Sequence, residues 1–343
     1  MKLELNNQQS YRSIMTIDAH TEGEPLRIIK SGYPPILGKT ILEKRRYLLS
    51  HLDEYRQILM FEPRGHADMY GAIITEPENH DSDFGILFMH NEGYSSMCGH
   101  GILATVTVLM ECGDIKVGTQ EKRSIKIDSP AGLITAYGEW INNKPHVSFD
   151  CVPSFVDCVD QQIEVPDLGT VTYDILFGGA YYAYVDADAL NIDCNSENSQ
   201  TLILAGKAIK KAIAENYSIK HPEQEDLGFL YGVIFTSSKT TYSESHSRHV
   251  CVFADGEVDR SPTGTGVSGR AAQLVVKQGL PLNQAVRIES IISSHMTVEA
   301  IKSIEYYGKH AVIPRVTGRA FITGIHTFLI DEEDPFKQGF FIR

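Results

Sequence analysis

Two segments of this chain match each other at an offset of 165 residues. Residues 90–101 read HNEGYSSMCGHG and residues 255–266 read DGEVDRSPTGTG, so that Glu92 meets Glu257, Ser96 meets Ser261, Gly99 meets Gly264 and Gly101 meets Gly266. The flanks keep the register. Upstream, FGILFM (84–89) lies opposite HVCVFA (249–254), two short apolar runs of strand character. Downstream, Ile102, Leu103, Val106, Leu109 and Met110 recur at helical spacing, as do Val267, Ala271, Leu274 and Val275. Gly113 and Gly279 supply helix stops, the second followed by Pro281. A strand, a glycine-rich loop, a helix and a stop that agree in order and spacing point to duplication rather than to chance loop composition. The expectation is an α/β fold of two domains, each holding one strand–loop–helix unit.

A length of 343 residues suits two such domains. The expected division is an N-terminal α/β domain over 1–168 carrying the Cys98 loop and a C-terminal α/β domain over 169–318 carrying the Thr263 loop. The crossing falls near EVPDLGTVTYD (164–174), and the last segment, 319–343, is expected to return to the N-terminal domain. Runs such as IKIDSPAGLITAYGEW (125–140) and RAFITGIHTFLI (319–330) make the fold strand-rich, and TSSKTTYSESHSRH (236–249) reads as a hairpin or surface loop.

A net charge of −13 argues against nucleic acid or an anionic membrane as the main partner, while leaving room for a locally positive pocket. The first residues, MKLELNNQQSYRS, lack the apolar core of a signal peptide, and no run of about 18 apolar residues suggests a membrane span. Six cysteines (Cys98, Cys112, Cys151, Cys158, Cys194 and Cys251) are scattered without CxxC pairs, which gives neither a zinc site nor a disulfide framework. The expectation is a soluble, cytoplasmic, metal-free protein.

The two loops suit an anion. A helix N-terminus leaves backbone N–H groups unpaired and carries partial positive charge, and glycines let a ligand approach the backbone. Gly99-His100-Gly101 and Gly264-Thr265-Gly266 therefore read as two cradles that can hold one carboxylate between facing domains. The structural alternative makes each an ordinary helix start, with Thr263 a cap and Cys98 a small buried residue; two loops in register favour function. At a helix N-terminus the Cys98 thiol is expected to fall from about 8.5 toward neutrality. It then serves as a general base, or as a nucleophile with His100, His20 or His66. Cys98 and His100 stand two apart at a turn and are not expected to form a thiolate–imidazole pair. Asp18, His20, Glu22 and Glu24 alternate along a strand, so HTEGEP is expected to be a structural loop bordering the site rather than a metal cluster. His66 is expected to be structural, and Asp259 alone reads as a turn residue before Arg260-Ser261-Pro262.

MCGHG (97–101), DRSPTGTG (259–266), IDAHTEGEPLR (17–27), EPRGHADMYGA (62–72) and GGAYYAYVDA (178–187) together resemble the signature segments of the proline racemase family, across essentially the whole chain. The resemblance implies two pseudo-symmetric α/β domains, similar to those of diaminopimelate epimerase, and a cofactor-free active site in the cleft between them. It also implies a small imino-acid substrate and a homodimer. Racemases of the family carry a cysteine on both loops, one for each face of the substrate α-carbon. This chain keeps Cys98 and has Thr263 in the second place. A threonine hydroxyl is a poor second base, but one base suffices if loss of water from the neighbouring carbon completes the reaction. The Cys/Thr pair is similar to that of family members that convert trans-3-hydroxy-L-proline to Δ1-pyrroline-2-carboxylate. That likeness implies Cys98 and Thr263 as catalytic residues, Gly99, His100, Gly264 and Thr265 around the substrate carboxylate, and Asp259 with His100 beside the ring nitrogen. The competing expectations are a proline racemase or 4-hydroxyproline epimerase, a non-catalytic amino-acid binder, and a thiol hydrolase.

Overall fold

The computed structural model describes residues 11–118 and 121–342. The first half opens with β1 (Arg12–Thr21) and β2 (Glu24–Ser31), an antiparallel hairpin turned by Glu22 and Gly23 at φ 50° and 97°. Then come α1 (Ile41–His51) and α2 (Asp53–Met60); α1 starts at a capping box in which Thr40 and Glu43 exchange hydrogen bonds, satisfying two otherwise orphaned N–H groups. β3 (Tyr70–Thr75) and β4 (Phe84–His90) lead into α3 (Gly99–Cys112), followed by β5 (Lys122–Ser129), β6 (Gly132–Ile141) and β7 (Lys144–Asp150).

The second half runs through β8 (Ser154–Val165), β9 (Gly169–Phe177), β10 (Tyr181–Asp186), α4 (Ser199–Asn216), β11 (Leu230–Ser237) and β12 (Ser247–Phe253). The two-residue β13 (Glu257–Val258) precedes α5 (Gly264–Gln278), then β14 (Val286–Glu289), β15 (His295–Tyr306), β16 (Lys309–Gly318) and β17 (Ala320–Ile330). The polar stretch 236–249 is the tip of the antiparallel β11–β12 hairpin, the last residues of β11, the loop over 238–246 and the first residues of β12.

The duplication read from two loops extends to the pairing pattern. β3–β4 and β11–β12 are antiparallel, β4–β5 and β12–β14 are parallel, and β5–β6–β7 and β14–β15–β16 are antiparallel meanders. At the same offset β8 corresponds to β17, and these two strands are exchanged between the halves. β17 pairs along its length with β1, whereas β8 pairs with β9 and β16. The second half thereby closes into a ring, β8–β9–β10–β11–β12–β14–β15–β16 and back to β8. The first half runs β17–β1–β2–β3–β4–β5–β6–β7, and β7 pairs with the end of β16 just before the chain continues into β17. The 168/169 boundary expected from sequence falls in the turn of the β8–β9 hairpin, so a cut there divides two strands paired along their length.

The sheet of each half curves around one helix. α3 touches β1, β2, β3, β6, β7 and β17, and nearly all of its residues are buried. A helix apolar on every side has to lie in an interior. α5 packs on β8, β9, β15 and β16. Both helices end in a left-handed glycine, Gly113 and Gly279, where the missing Cβ removes the steric penalty of positive φ. Among the described residues no helix is long and apolar enough to cross a membrane.

Candidate active site

The N-termini of α3 and α5 meet where the two halves join, and the residues singled out on both loops line one cavity. Cys98, Gly99 and His100 come from the first loop; Asp259, Thr263, Gly264 and Thr265 come from the second. Met97, Tyr70, Tyr182, Tyr231 and Phe253 complete the lining of a small cavity of about 20 Å³. By the geometry of helix starts, the first N–H groups of both helices point into this space and favour an anion there.

Cys98 is the N-cap of α3 in an extended conformation (φ −144°), and its sulfur accepts the Gly101 N–H at 3.2 Å. That hydrogen bond lowers the thiol, as expected of a helix start, but burial outweighs it. The thiol is pushed well above its ordinary value by desolvation, and further by the carboxyl groups of Asp259 and Glu24. The expectation of a near-neutral thiol is therefore corrected: burial holds it high. His100 comes closer to the sulfur than the spacing of two residues suggested. Its Nδ1 lies 3.3 Å and its Nε2 3.6 Å from Cys98 Sγ, because an extended cap followed by a helical turn folds the ring back over the sulfur. Burial pushes the imidazole down as it pushes the thiol up, each toward its neutral form.

Thr263 occupies the N-cap position of α5 but does not cap it. Its backbone sits at φ 69° and ψ 104°, a conformation that costs a β-branched residue energy. The Oγ1 is buried without a hydrogen bond of ordinary geometry, although it stands close enough to the Cys251 thiol to lower it. The loop is held from behind: Asp259 Oδ1 accepts the Ser261 N–H at 2.7 Å, and Ser261 Oγ accepts the Thr263 N–H at 3.1 Å. The Thr265 hydroxyl bonds Tyr182 Oη at 2.8 Å.

Several residues of the site had no role assigned to them from the sequence. Glu24 is fully buried; its Oε2 accepts the Arg260 N–H at 2.7 Å and its Oε1 has no hydrogen-bond partner. Desolvation, then the neighbouring Asp259, pushes this carboxyl well up. Tyr70 donates to Ser95 Oγ, lies 3.4 Å from Tyr231 Oη, and sets its ring edge-on to His100 with centroids 4.8 Å apart. Tyr70 and Tyr182 stand inside EPRGHADMYGA and GGAYYAYVDA, where nothing local separates a cavity tyrosine from a core one. His20 accepts the Gly23 N–H and His66 is exposed; neither belongs to the cavity lining. Asp18 is engaged in a buried ion pair with Arg27 at 2.8 Å.

The sequence model of the family described as Proline racemase matches residues 16–341. A trans-3-hydroxy-L-proline dehydratase of Colwellia psychrerythraea is 50% identical over 337 residues, 98% of this chain and 94% of that protein. A trans-3-hydroxy-L-proline dehydratase of Homo sapiens is 43% identical over 336 residues, 96% of this chain and 95% of that protein. Among solved structures, a hydroxyproline epimerase from Agrobacterium vitis with bound trans-4-hydroxy-L-proline superposes with a TM-score of 0.89 at 28% identity, covering 96% of each chain.

Proposed function

The chain belongs to the proline racemase family, and within that family we propose that it dehydrates trans-3-hydroxy-L-proline to Δ1-pyrroline-2-carboxylate. The observation that carries this reading is the pair facing the cavity, a thiol at Cys98 and a hydroxyl at Thr263. One wall has a group that can become a base at accessible pH; the other does not. The names of the relatives at 43% and 50% identity support the same substrate.

The substrate carboxylate lies against the N–H groups of Gly99, His100, Gly264 and Thr265, where two helix N-termini also stabilise the enolate-like charge that develops as the α-proton leaves. The ring ammonium pairs with Asp259. That pairing has a second effect, because the carboxyl groups beside the cavity raise the thiol, and a bound cation offsets their field. Substrate binding thus favours the Cys98 thiolate when it is needed. Cys98 takes the α-proton, the C3 hydroxyl departs, and the resulting enamine tautomerises. No step calls on a cofactor. The small cavity keeps bulk water from the reacting atoms.

Incubation with trans-3-hydroxy-L-proline, trans-4-hydroxy-L-proline and L-proline separately tests the reading. The expected result is a pyrroline product from the first alone, lost in Cys98→Ser. Racemisation or epimerisation of the other two without pyrroline from the first overturns it.

A further inference from the structure

Removing the α-proton leaves a second problem, since hydroxide is a poor leaving group and needs a proton as it departs. Substrate stereochemistry says where that proton has to come from. In the trans isomer of an L-imino acid, the carboxylate and the 3-hydroxyl lie on opposite ring faces. The α-hydrogen and the 3-hydroxyl therefore share a face, the one turned to Cys98. Thr263, on the opposing loop, faces the other side. The acid has to be sought on the Cys98 wall.

That wall carries a cluster of buried hydroxyls. Tyr70 Oη bonds Ser95 Oγ at 2.5 Å and lies 3.4 Å from Tyr231 Oη, and all three residues are buried. Tyr70 and Tyr231 line the cavity beside Cys98. The Tyr70 hydroxyl is also near enough to the Cys98 sulfur to lower the thiol. The ring is fixed from two sides, edge-on against His100 at 4.8 Å and stacked on His90 at 5.5 Å. A clamped phenol next to the base is preorganised to meet the leaving oxygen. Resting on the dehydration reading above, we propose that Tyr70 is the catalytic acid that protonates the departing 3-hydroxyl, with Tyr231 and Ser95 holding its hydroxyl in place.

The proton count closes without any outside donor. The Cys98 thiolate takes the α-proton, and the C–H electron pair becomes the C2=C3 double bond as the C3–O bond breaks with its pair on oxygen. That oxygen takes the Tyr70 proton and leaves as water. The tyrosinate then takes the proton now on Cys98, which restores thiolate and phenol together. The proton lost from the α-carbon balances the one that leaves in water.

The test changes the leaving group. Fluoride departs without protonation, so trans-3-fluoro-L-proline needs a base but no acid. Tyr70→Phe keeps the ring and its packing. Its kcat for trans-3-hydroxy-L-proline is expected to fall by about 100-fold or more. Fluoride release from the fluoro substrate is expected to fall much less, by about tenfold at most, the part owed to losing the hydroxyl that lowers the Cys98 thiol. Equal losses on both substrates assign Tyr70 to positioning Cys98 and overturn the proposal, as does a variant with near-normal turnover of the hydroxy substrate. If the wild-type protein forms no pyrroline from trans-3-hydroxy-L-proline, the dehydration reading fails, and this inference with it.

Discussion

Gly99 and Gly264, the first residues of α3 and α5, are packed backbone to backbone, so that a Cβ on either lies 2.6 Å from the Cα of the other. This contact brings two helix N-termini to one point, and it leaves no room for any side chain. Helix propensity alone predicts that Gly264→Ala stabilises the protein by up to about 1 kcal/mol. The steric conflict is with backbone on both sides and has to move one helix start away from the other.

Overpacking of this kind costs roughly 1–3 kcal/mol. Gly264→Ala is therefore expected to lower the melting temperature and to reduce kcat/KM by about 100-fold as the carboxylate cradle opens. Thermal denaturation and steady-state kinetics check both. A variant that is more stable and fully active removes the cradle from the argument.

The free thiol should be slow to react at neutral pH. Burial, reinforced by Asp259 and Glu24, raises the Cys98 thiol. Its alkylation by iodoacetamide is expected to keep rising above pH 9 instead of levelling near neutrality. Asp259→Asn removes one of the charges that raise the thiol, so the rising limb should move to lower pH. An alkylation rate already at its plateau at pH 7 contradicts a thiol raised by burial.

The sequence carried the helix starts but not the walls. Cys98, Gly99, Thr263 and Gly264 are legible because a turn, a cap and a glycine each have a local cause, and the duplication doubles the signal. Gly113 and Gly279 as helix stops have the same kind of local cause. Tyr70, Tyr231 and Phe253 enter the cavity only because strands from both halves converge on it, and a tyrosine in a strand looks alike in core and in site. Glu24 was hidden for a related reason: alternation along its strand describes faces, and what covers a face is decided by Arg260 and Asp259, more than 230 residues away. The thiol's direction was misread because a helix start can be recognised locally, whereas the burial that overrides it depends on the whole cleft.

Glu24 offers a stability test with a definite sign. Desolvation and the charges of Asp259 and Asp68 raise its carboxyl, against the lowering effect of Arg260. The folded protein then holds a proton that the unfolded chain releases above its ordinary value. The stabilising contribution is complete below that ordinary value and is lost as pH rises through the raised one. Glu24→Gln has no proton to lose. The variant should gain on the wild type as pH rises above the ordinary carboxylate range, by about 1.4 kcal/mol for each unit by which the carboxyl is raised. Parallel melting-temperature profiles above that range contradict a protonated Glu24.

Thr263 stores strain where the family's racemases are said by resemblance to hold a second thiol. Its φ of 69° is costly for a β-branched side chain and free for glycine. Thr263→Gly is therefore expected to raise stability by about 1 kcal/mol, the lower end of the cost of such a conformation, and to leave the α-proton chemistry of Cys98 in place. Thr263→Cys keeps the strained backbone and puts a second sulfur on the opposite wall of the cavity. In deuterium oxide that variant should incorporate deuterium at the α-carbon of trans-4-hydroxy-L-proline with inversion, which the wild type should not do. The two variants separate backbone from side chain: the first changes the melting temperature, the second changes the reaction. A Thr263→Cys protein that remains folded, keeps its dehydration of trans-3-hydroxy-L-proline and still inverts nothing would mean that this position does not face the α-carbon.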